Sequence, residues 1–166
     1  MSWTRFGEIE LGSPGYLLYE DNSKVDNWMK LVFGGFVLFF VVMGLILLFE
    51  DTEAAFSMFG VAVLDAVIFR LVIPRRYQIY SDRIRIVLGG PFALNISLST
   101  VKEVKAASGA KAFAYSGVRF ATSSKNVVEI TRTRGCNYVI SPLNREIFLE
   151  QANSALQAIG SQSSVV

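Results

Sequence analysis

The longest apolar stretch of the chain covers residues 31–49 and contains no charged or hydrogen-bonding side chain. As an α-helix it would be about 28 Å long, close to the ~30 Å hydrocarbon core of a bilayer. A second apolar run over residues 54–73 follows a short polar connection, which can only join antiparallel neighbours. The pattern predicts a transmembrane hairpin over residues 30–73, with helices over about 30–49 and 54–73.

From residue 74 onwards apolar and polar positions alternate, which is the period of β-strands. Turn-forming residues separate these segments at short intervals, which favours an antiparallel sandwich or barrel because parallel strands need long crossover connections. The predicted strands cover residues 77–80, 84–88, 94–98, 101–105, 113–115, 118–121, 127–131 and 137–140.

An amphipathic helix is predicted after the last strand. Ser141 is a candidate N-cap, Pro142 suits the first helical position, and Gly160 is expected to end the helix. A partner-binding face would also show this pattern, but we expect the helix to close one end of the β-domain. Its apolar stripe consists of Leu143, Ile147, Phe148, Ala152, Ala155, Leu156 and Ile159.

The segment before the hairpin does not read as a signal peptide, because the apolar core starts only at residue 31. Two short alternations, over residues 6–11 and 16–20, flank the turn-like segment 12–15. They predict a short β-hairpin or an interfacial arm. Its acidic side chains either contact the basic C-terminal part or are solvated; they are Glu8, Glu10, Glu20, Asp21 and Asp26.

The composition argues against catalysis and metal binding. The chain has no histidine, and Cys136 is its only cysteine. The commonest general base, the commonest metal ligand and any multi-cysteine site are therefore excluded. We expect no enzyme activity, no cofactor and no metal site. Cys136 lies in a strand-like stretch and is expected to be a buried structural thiol.

Charge is distributed unevenly along the chain. Residues 1–73 carry four Lys/Arg against nine Asp/Glu, a net −5, whereas residues 74–166 carry twelve against five, a net +7. A basic domain beside a bilayer is attracted to anionic headgroups by about 1 kcal/mol per basic residue near the surface. The alternative is a solvated basic face without a ligand. The candidate headgroup-binding residues are Arg75, Arg76, Arg83 and Arg85.

The second apolar run contains two ionisable residues, Asp65 and Arg70. Arg70 lies near the end of the run and can reach the membrane interface, whereas Asp65 lies about two turns inside. An intramembrane carboxylate suggests an ion or proton relay, but a single carboxylate without a second ionisable partner makes a poor one. Asp65 would then be protonated, hydrogen-bond across the hairpin or a homo-oligomer interface, or reach toward Arg70. Small residues in both apolar runs allow the two helices to approach each other closely. They are Gly34, Gly35 and Gly44 in the first run, and Gly60, Ala62 and Ala66 near Asp65 in the second.

Two segments carry a family resemblance. Residues 74–88, PRRYQIYSDRIRIVL, read as a Pro/Arg exit, a strand, an Asp turn and an apolar–basic strand. Residues 117–149 add a strand, a polar turn, the run ITRTRGCNYVISP and the start of the helix. Over about residues 74–158 the chain resembles bacterial pleckstrin-homology (PH)-like domains that follow a transmembrane hairpin. The resemblance implies an α+β membrane protein, in which the hairpin precedes an antiparallel PH-like β-barrel or sandwich capped by a C-terminal helix.

The resemblance transfers no catalytic residues. The best-known relatives elsewhere bind phosphoinositides through a basic pocket between early strands, near which Arg83 and Arg85 fall here, whereas many PH-like domains are protein scaffolds. Lipid binding is therefore implied only by analogy of fold. Because Arg83 and Arg85 are two positions apart, we expect them on the same side of a strand.

The basic residues near the helix ends predict the orientation. The connection between the helices has no Lys or Arg, whereas Lys24 and Lys30 precede the hairpin and Arg75 and Arg76 follow it. The positive-inside rule then places both termini and the PH-like domain in the cytoplasm. The predicted organisation is a cytoplasmic arm over residues 1–29, the hairpin, a PH-like domain over 74–160 and a disordered tail over 161–166.

These predictions favour a non-enzymatic, membrane-anchored scaffold that holds a protein partner, or a second copy of the chain, at the cytoplasmic membrane face. One alternative is binding of anionic lipid headgroups by the four arginines named above. Another is an accessory role in a transport or membrane complex that uses Asp65. No nucleic-acid partner is expected because the domain is tethered to a membrane.

Overall fold

A computed structural model of the chain describes residues 15–163. Within this range a helical hairpin is combined with two four-stranded sheets and a C-terminal helix. The helices are α1 (Asn27–Leu47), α2 (Thr52–Val72) and α3 (Arg145–Ser163). The strands are β1 (Leu17–Asn22), β2 (Pro74–Tyr80), β3 (Arg83–Leu88), β4 (Ala93–Ser97), β5 (Val101–Ala106), β6 (Val118–Phe120), β7 (Val128–Arg132) and β8 (Tyr138–Ile140).

The predicted hairpin is formed by α1 and α2. Both helices are long and apolar enough to span a membrane, and only 6% and 11% of their most apolar stretches are buried in the protein. They meet at small residues, since a Cβ on Gly44 would lie 2.7 Å from the ring of Phe59. Phe33 stacks on Phe69 with 4.3 Å between ring centroids. The close approach predicted at Gly44 is confirmed.

The hairpin begins and ends slightly earlier than the apolar runs suggest. Asp51 fixes the start of α2, because its Oδ1 accepts hydrogen bonds from the amides of Glu53 at 3.0 Å and Ala54 at 3.1 Å. Gly34 and Gly35 do not contribute to the helix contact, because a Cβ added at either position meets no atom within 4 Å. They lie on a face of α1 that α2 does not cover.

The first sheet has the strand order β1-β2-β3-β4 and is antiparallel throughout. The alternation over residues 16–20 does form a strand, but its partner is β2, on the other side of the hairpin in sequence. The second predicted strand of the N-terminal arm, over residues 6–11, lies outside the described residues. Residues 17–22 thus belong to the same sheet as the segment after the hairpin, although the predicted division assigned them to a separate arm.

The second sheet has the order β5-β7-β8-β6. The prediction of an entirely antiparallel domain is wrong here, because β6 and β8 are parallel. A tight turn reverses the chain between β7 and β8, which gives β8 the direction of β6. Because β8 lies next to β6 and runs in the same direction, the two strands pair in parallel.

The two sheets and α3 enclose one hydrophobic core, to which Tyr77, Ile84, Ile130 and Phe148 contribute fully buried side chains. Within residues 15–163 the two sheets are joined by an isolated antiparallel bridge between Ser23 and Pro142 and by no longer ladder, so the predicted barrel is not closed and the domain is an open sandwich. The C-terminal helix covers the core as expected, with Phe148, Ala152 and Ala155 inside. Two members of the predicted stripe, Leu143 and Ile147, remain about half exposed.

The boundaries of α3 differ from the prediction. The helix starts at Arg145 and continues past Gly160 to Ser163. Ser141 does not cap it, because its Oγ accepts hydrogen bonds from two amides of a neighbouring loop. The start of α3 is instead fixed by Asp21 of β1, whose Oδ2 accepts from the Asn144 amide at 2.7 Å.

Two further predictions are wrong. Residues 113–115 do not form a strand; they follow a 3-10 turn over Gly109–Ala112. Cys136 is exposed, because it lies in the tight turn between β7 and β8 next to Gly135, which has a positive φ of 92°. The thiol of Cys136 is therefore not part of the core, contrary to the prediction.

Candidate functional site

Polar and basic side chains cover the side of the first sheet that faces away from the core. Strand alternation buries Tyr77 and Ile79 of β2, and Ile84 and Ile86 of β3. We call the opposite side the outer face; it carries Glu20, Arg76, Gln78, Tyr80, Arg83, Arg85 and Asn95. Arg83 and Arg85 lie on the same side of β3, as their spacing predicts.

Charged contacts on the outer face are mostly solvent-accessible. Arg76 pairs with Glu20 at 3.2 Å, and Gln78 donates to the same carboxylate at 2.6 Å. Arg83 contacts Asp82 at 3.4 Å and lies over the ring of Tyr80, with 5.0 Å from its Cζ to the ring centroid. Exposed ion pairs of this kind contribute roughly 0–1 kcal/mol, so they leave the face available for other partners.

Two guanidinium nitrogens of the outer face have no hydrogen-bond partner among the described residues. They are Nε of Arg83 and Nε of Arg85, and both are buried. A buried donor without an acceptor costs about 1–3 kcal/mol. Both nitrogens are covered by neighbouring groups, so an external acceptor reaches them only after the arginine side chains change conformation.

The structure does not bring the four predicted headgroup arginines to one site. Arg75 lies at the start of β2, where the strand register is irregular, with its Nε beside Gly89, whereas Arg76 lies on the outer face. Arg85 is opposite Gln78, about 13 Å along β2 from Pro74 at ~3.3 Å per residue, and Arg83 is about 20 Å away. Because the screening length is roughly 8 Å in physiological salt, a bilayer at the level of the hairpin would act mainly on Arg75 and Arg76.

The hairpin is joined tightly to the turn between β3 and β4. The amide of Gly89 donates to the carbonyl oxygen of Leu71 at 3.2 Å. A Cβ at Gly89 would lie 1.5 Å from the carbonyl oxygen of Arg70, so only glycine fits. Phe92, at the same end of the sheet, exposes 57% of its surface. The end of α2 and the end of the first sheet thus form one continuous surface.

A clasp connects the start of α1 to the second sheet. Asp26 directly precedes α1, and its carboxylate accepts from Ser123 Oγ at 2.8 Å, the Ser124 amide at 2.9 Å and Ser124 Oγ at 3.2 Å. Partial burial alone would raise the pKa of Asp26, but these hydrogen bonds and nearby Lys24 outweigh it and hold the pKa below its ordinary value. The clasp therefore contains an ionised carboxylate at neutral pH.

A cavity of about 250 Å³ lies between the hairpin and the second sheet. Trp28 and Phe33 of α1, Val72 of α2, and Phe113 and Phe120 of the β-domain are among its lining residues. Trp28 and Phe113 contact each other, with 5.5 Å between ring centroids. Nothing in the sequence indicates that Phe113, 85 positions after Trp28, would join it.

The loop that carries Phe113 is held to the second sheet by a charged cluster. Glu129 of β7 is buried, and its two carboxylate oxygens accept from Lys111 Nζ at 2.7 Å and from Tyr115 OH at 2.9 Å. Burial works against ionisation, but the two hydrogen bonds prevail and lower the pKa of Glu129 from 4.5. Burial and the adjacent carboxylate raise the pKa of Tyr115 to about 12.

Replacing Glu129 by glutamine is expected to lower the free energy of unfolding by about 1–2 kcal/mol at pH 7, because a hydrogen-bonded charge is lost and Lys111 is partly exposed. The lowered pKa means that the folded state binds this proton less tightly than the unfolded state. The difference in the free energy of unfolding between wild type and Glu129→Gln should have its largest value above pH 4.5 and should shrink as the pH falls below 4.5. Denaturant titrations of the full chain in mild detergent at several pH values measure this difference.

The control is Glu103→Gln, which removes an exposed partner of Lys105. If Glu103→Gln lowered the free energy of unfolding as much as Glu129→Gln, the role of Glu129 would be contradicted.

The two ionisable residues in the apolar run of α2 are not brought together. Asp65 is half-buried and Arg70 is exposed, and no ion pair joins them within the described part of the chain. Five residues correspond to about 140° around an α-helix, so the two side chains leave α2 on different sides. Of the small residues near Asp65, Ala62 is buried against α1, whereas Gly60 and Ala66 are exposed.

Among the described residues, no three His, Cys, Asp or Glu side chains are arranged to hold a metal ion. No protein-family model, curated protein or solved structure matches the chain. The resemblance to PH-like domains therefore stands on the sequence patterns of residues 74–158, and on the order of two sheets followed by a helix over the core.

Proposed function

We propose that the chain is a non-enzymatic, membrane-anchored PH-like module that binds an acidic segment of a protein partner at the cytoplasmic membrane face. Anchoring is supported by the outward-facing side chains of the hairpin, such as Leu31 with 76% and Leu38 with 62% of their surface exposed. Water solvates such a surface poorly, whereas lipid covers it. The module is thus held at the bilayer by two spans.

The pairing of β1 with β2 supports a common side for both flanks of the hairpin. These strands precede and follow the hairpin directly and are hydrogen-bonded neighbours. A hairpin that enters and leaves a bilayer from one side satisfies this geometry. Lys and Arg residues lie near that side and are absent from the loop between the helices. The positive-inside rule therefore favours the cytoplasmic side of the membrane for both flanks.

The observation that carries the proposal is the pair of unpartnered Nε atoms on the outer face. A carboxylate that approaches a guanidinium side-on accepts from Nε and from one terminal nitrogen at once. Arg83 and Arg85 can offer this twice along one strand once their side chains turn to bring the buried Nε atoms to the surface, and Gln78 and Asn95 flank Arg85 on the neighbouring strands. An acidic peptide segment fits this arrangement better than a bilayer, from which Arg83 is about 20 Å away along the strand.

The test replaces both arginines in the full chain, which is purified from its own membranes in mild detergent. A photo-crosslinking residue at Tyr80 on the outer face captures the partner, and mass spectrometry identifies the linked peptide. Arg83→Glu/Arg85→Glu should reduce the yield of the linked partner at least tenfold, because loss of buried charge pairs at an interface costs about 2–5 kcal/mol.

The matched control is Lys102→Glu/Arg134→Glu, which makes the same change in net charge at two exposed positions away from the outer face. It should retain the cross-link. Equal capture by the wild type and the Arg83/Arg85 variant, or a linked peptide without acidic residues, would contradict the proposal.

The two alternative functions have less support. Headgroup binding by four arginines would need them at one level, but Arg75 and Arg76 lie at the hairpin exit whereas Arg83 and Arg85 lie further along the sheet. A transport role would need a second polar group for Asp65, and within residues 15–163 no hydrogen bond or ion pair to Asp65 is present to supply one.

A further inference from the structure

The cavity between the hairpin and the second sheet lies at the level where both spans end. Trp28 is in the first turn of α1, and Val72 is the last residue of α2. If the hairpin spans a bilayer, these positions lie at the boundary between hydrocarbon and headgroups, where Trp side chains are enriched. The cavity is therefore next to lipid rather than next to bulk water.

The polar groups in the cavity wall are already used inside the protein. The Thr122 amide donates to Ser141 Oγ at 2.7 Å, and Thr122 Oγ1 donates to the Lys24 carbonyl oxygen at 2.6 Å. Ser123 and Ser124 donate to the carboxylate of Asp26. The Arg119 guanidinium donates to the carbonyl oxygen of Phe113. What the wall offers a ligand is therefore mainly apolar and aromatic surface.

We infer that this cavity holds part of one acyl chain of a membrane phospholipid, and this inference rests on the proposed membrane anchoring. Its volume of about 250 Å³ is just below the ~300 Å³ at which pockets for whole small molecules begin. A chain segment fits that space while the rest of the lipid stays in the bilayer.

A phospholipid is favoured over other occupants by continuity of surface. The apolar wall passes from Trp28 and Phe33 directly into the lipid-facing side of α1, where Leu31 is 76% exposed. Whatever covers that side of the helix also has access to the cavity. The bilayer supplies this ligand at very high local concentration, so even a weak site would be occupied.

Native mass spectrometry of the full chain tests the inference after exchange into a detergent that strips loosely bound lipid. The wild type should retain one phospholipid per chain. Phe113→Ala and Trp28→Ala should each lower the lipid-bound fraction at least tenfold, because each removes a ring from the wall. Phe92→Ala is the matched control, since Phe92 is exposed to a similar extent at the same end of the domain but does not line the cavity.

A photo-crosslinking residue at position 113 gives a second readout that does not depend on a truncated side chain. A linked phospholipid supports the inference. A link to residues 1–14 of the same chain, a link to a second copy, or a wild type without retained lipid would overturn it. Carbonate extraction separates the two proposals: a chain that stays in the membrane but carries no lipid refutes the cavity ligand alone, whereas a chain released by carbonate refutes the anchoring.

Discussion

Replacing Gly89 by alanine is expected to lower the free energy of unfolding by about 3 kcal/mol, at the upper end of the usual cost of overpacking. The new Cβ would lie 1.5 Å from the carbonyl oxygen of Arg70 and 2.7 Å from its carbonyl carbon. Both atoms are backbone, so no side-chain rotation relieves the overlap. The turn between β3 and β4 must move away from α2, and the hydrogen bond from the Gly89 amide to Leu71 is lost.

Thermal and denaturant unfolding in mild detergent measure the effect, with Gly35→Ala as the control. A Cβ at Gly35 meets no atom within 4 Å, and alanine favours a helix over glycine by about 1 kcal/mol. Gly90→Ala should fall between the two, because the atom that its Cβ overlaps is Cδ2 of the flexible Leu71 side chain, at 2.5 Å, rather than backbone. If Gly89→Ala were as stable as Gly35→Ala, the junction between hairpin and sheet would not be built as described.

This junction matters because it fixes the position of the outer face relative to the hairpin, and so its height above the bilayer under the proposed anchoring. The end of α2 continues into β2 with only Ile73 between them, and Gly89 holds the neighbouring turn against the same helix end. The clasp from Asp26 to Ser124 adds a second connection at the start of α1. The outer face, where the proposed partner binds, is thus held in a fixed position relative to the hairpin, which lowers the entropy cost of binding.

Local patterns predicted most of the secondary structure. Both α1 and α2 were predicted within a few residues, because an uninterrupted apolar run indicates a long apolar helix whatever that helix packs against. The alternation of apolar residues gave β2, β3 and β4 with similar accuracy, and it also placed Arg83 and Arg85 on one side of β3. These features depend on a few neighbouring residues, and a single sequence contains that information.

Long-range pairing was not accessible in the same way. β1 pairs with β2 across the whole hairpin, and β8 inserts between β6 and β7, although nothing in either segment specifies its neighbour. The local signals at 113–115 and Ser141 were also misleading, because tertiary contacts decide both. Phe113 is drawn toward Trp28, and the Ser141 hydroxyl is taken by a loop rather than by the helix that follows it.

The candidate site shows the same division. Strand spacing correctly identified the shared side of Arg83 and Arg85, but it could not show that the Arg75 side chain lies beside Gly89 at the hairpin exit. The cavity could not be predicted at all, since its walls come from both helix ends and from the second sheet. Its location depends on how the two parts of the molecule pack.

Replacing Ser141 by alanine is expected to lower the free energy of unfolding by about 2–4 kcal/mol. Ser141 is fully buried, and its Oγ accepts from the Thr122 amide at 2.7 Å and from the Ser123 amide at 3.1 Å. Alanine leaves both amides buried without an acceptor, at about 1–3 kcal/mol for each. The same loop carries the cavity wall and the Asp26 clasp, so the loss should loosen both.

The matched control is Ser97→Ala, which removes an exposed hydroxyl that pairs only with Ser99 Oγ at 2.8 Å and should change stability by less than about 0.5 kcal/mol. Amide hydrogen exchange distinguishes a specific effect from general destabilisation. In Ser141→Ala, exchange at Thr122 and Ser123 should accelerate more than exchange in β2 or β3, because local opening precedes global unfolding there. Unchanged exchange at these two amides would mean that the hydroxyl of Ser141 does not hold the loop, and that the cavity wall keeps its shape by side-chain packing alone.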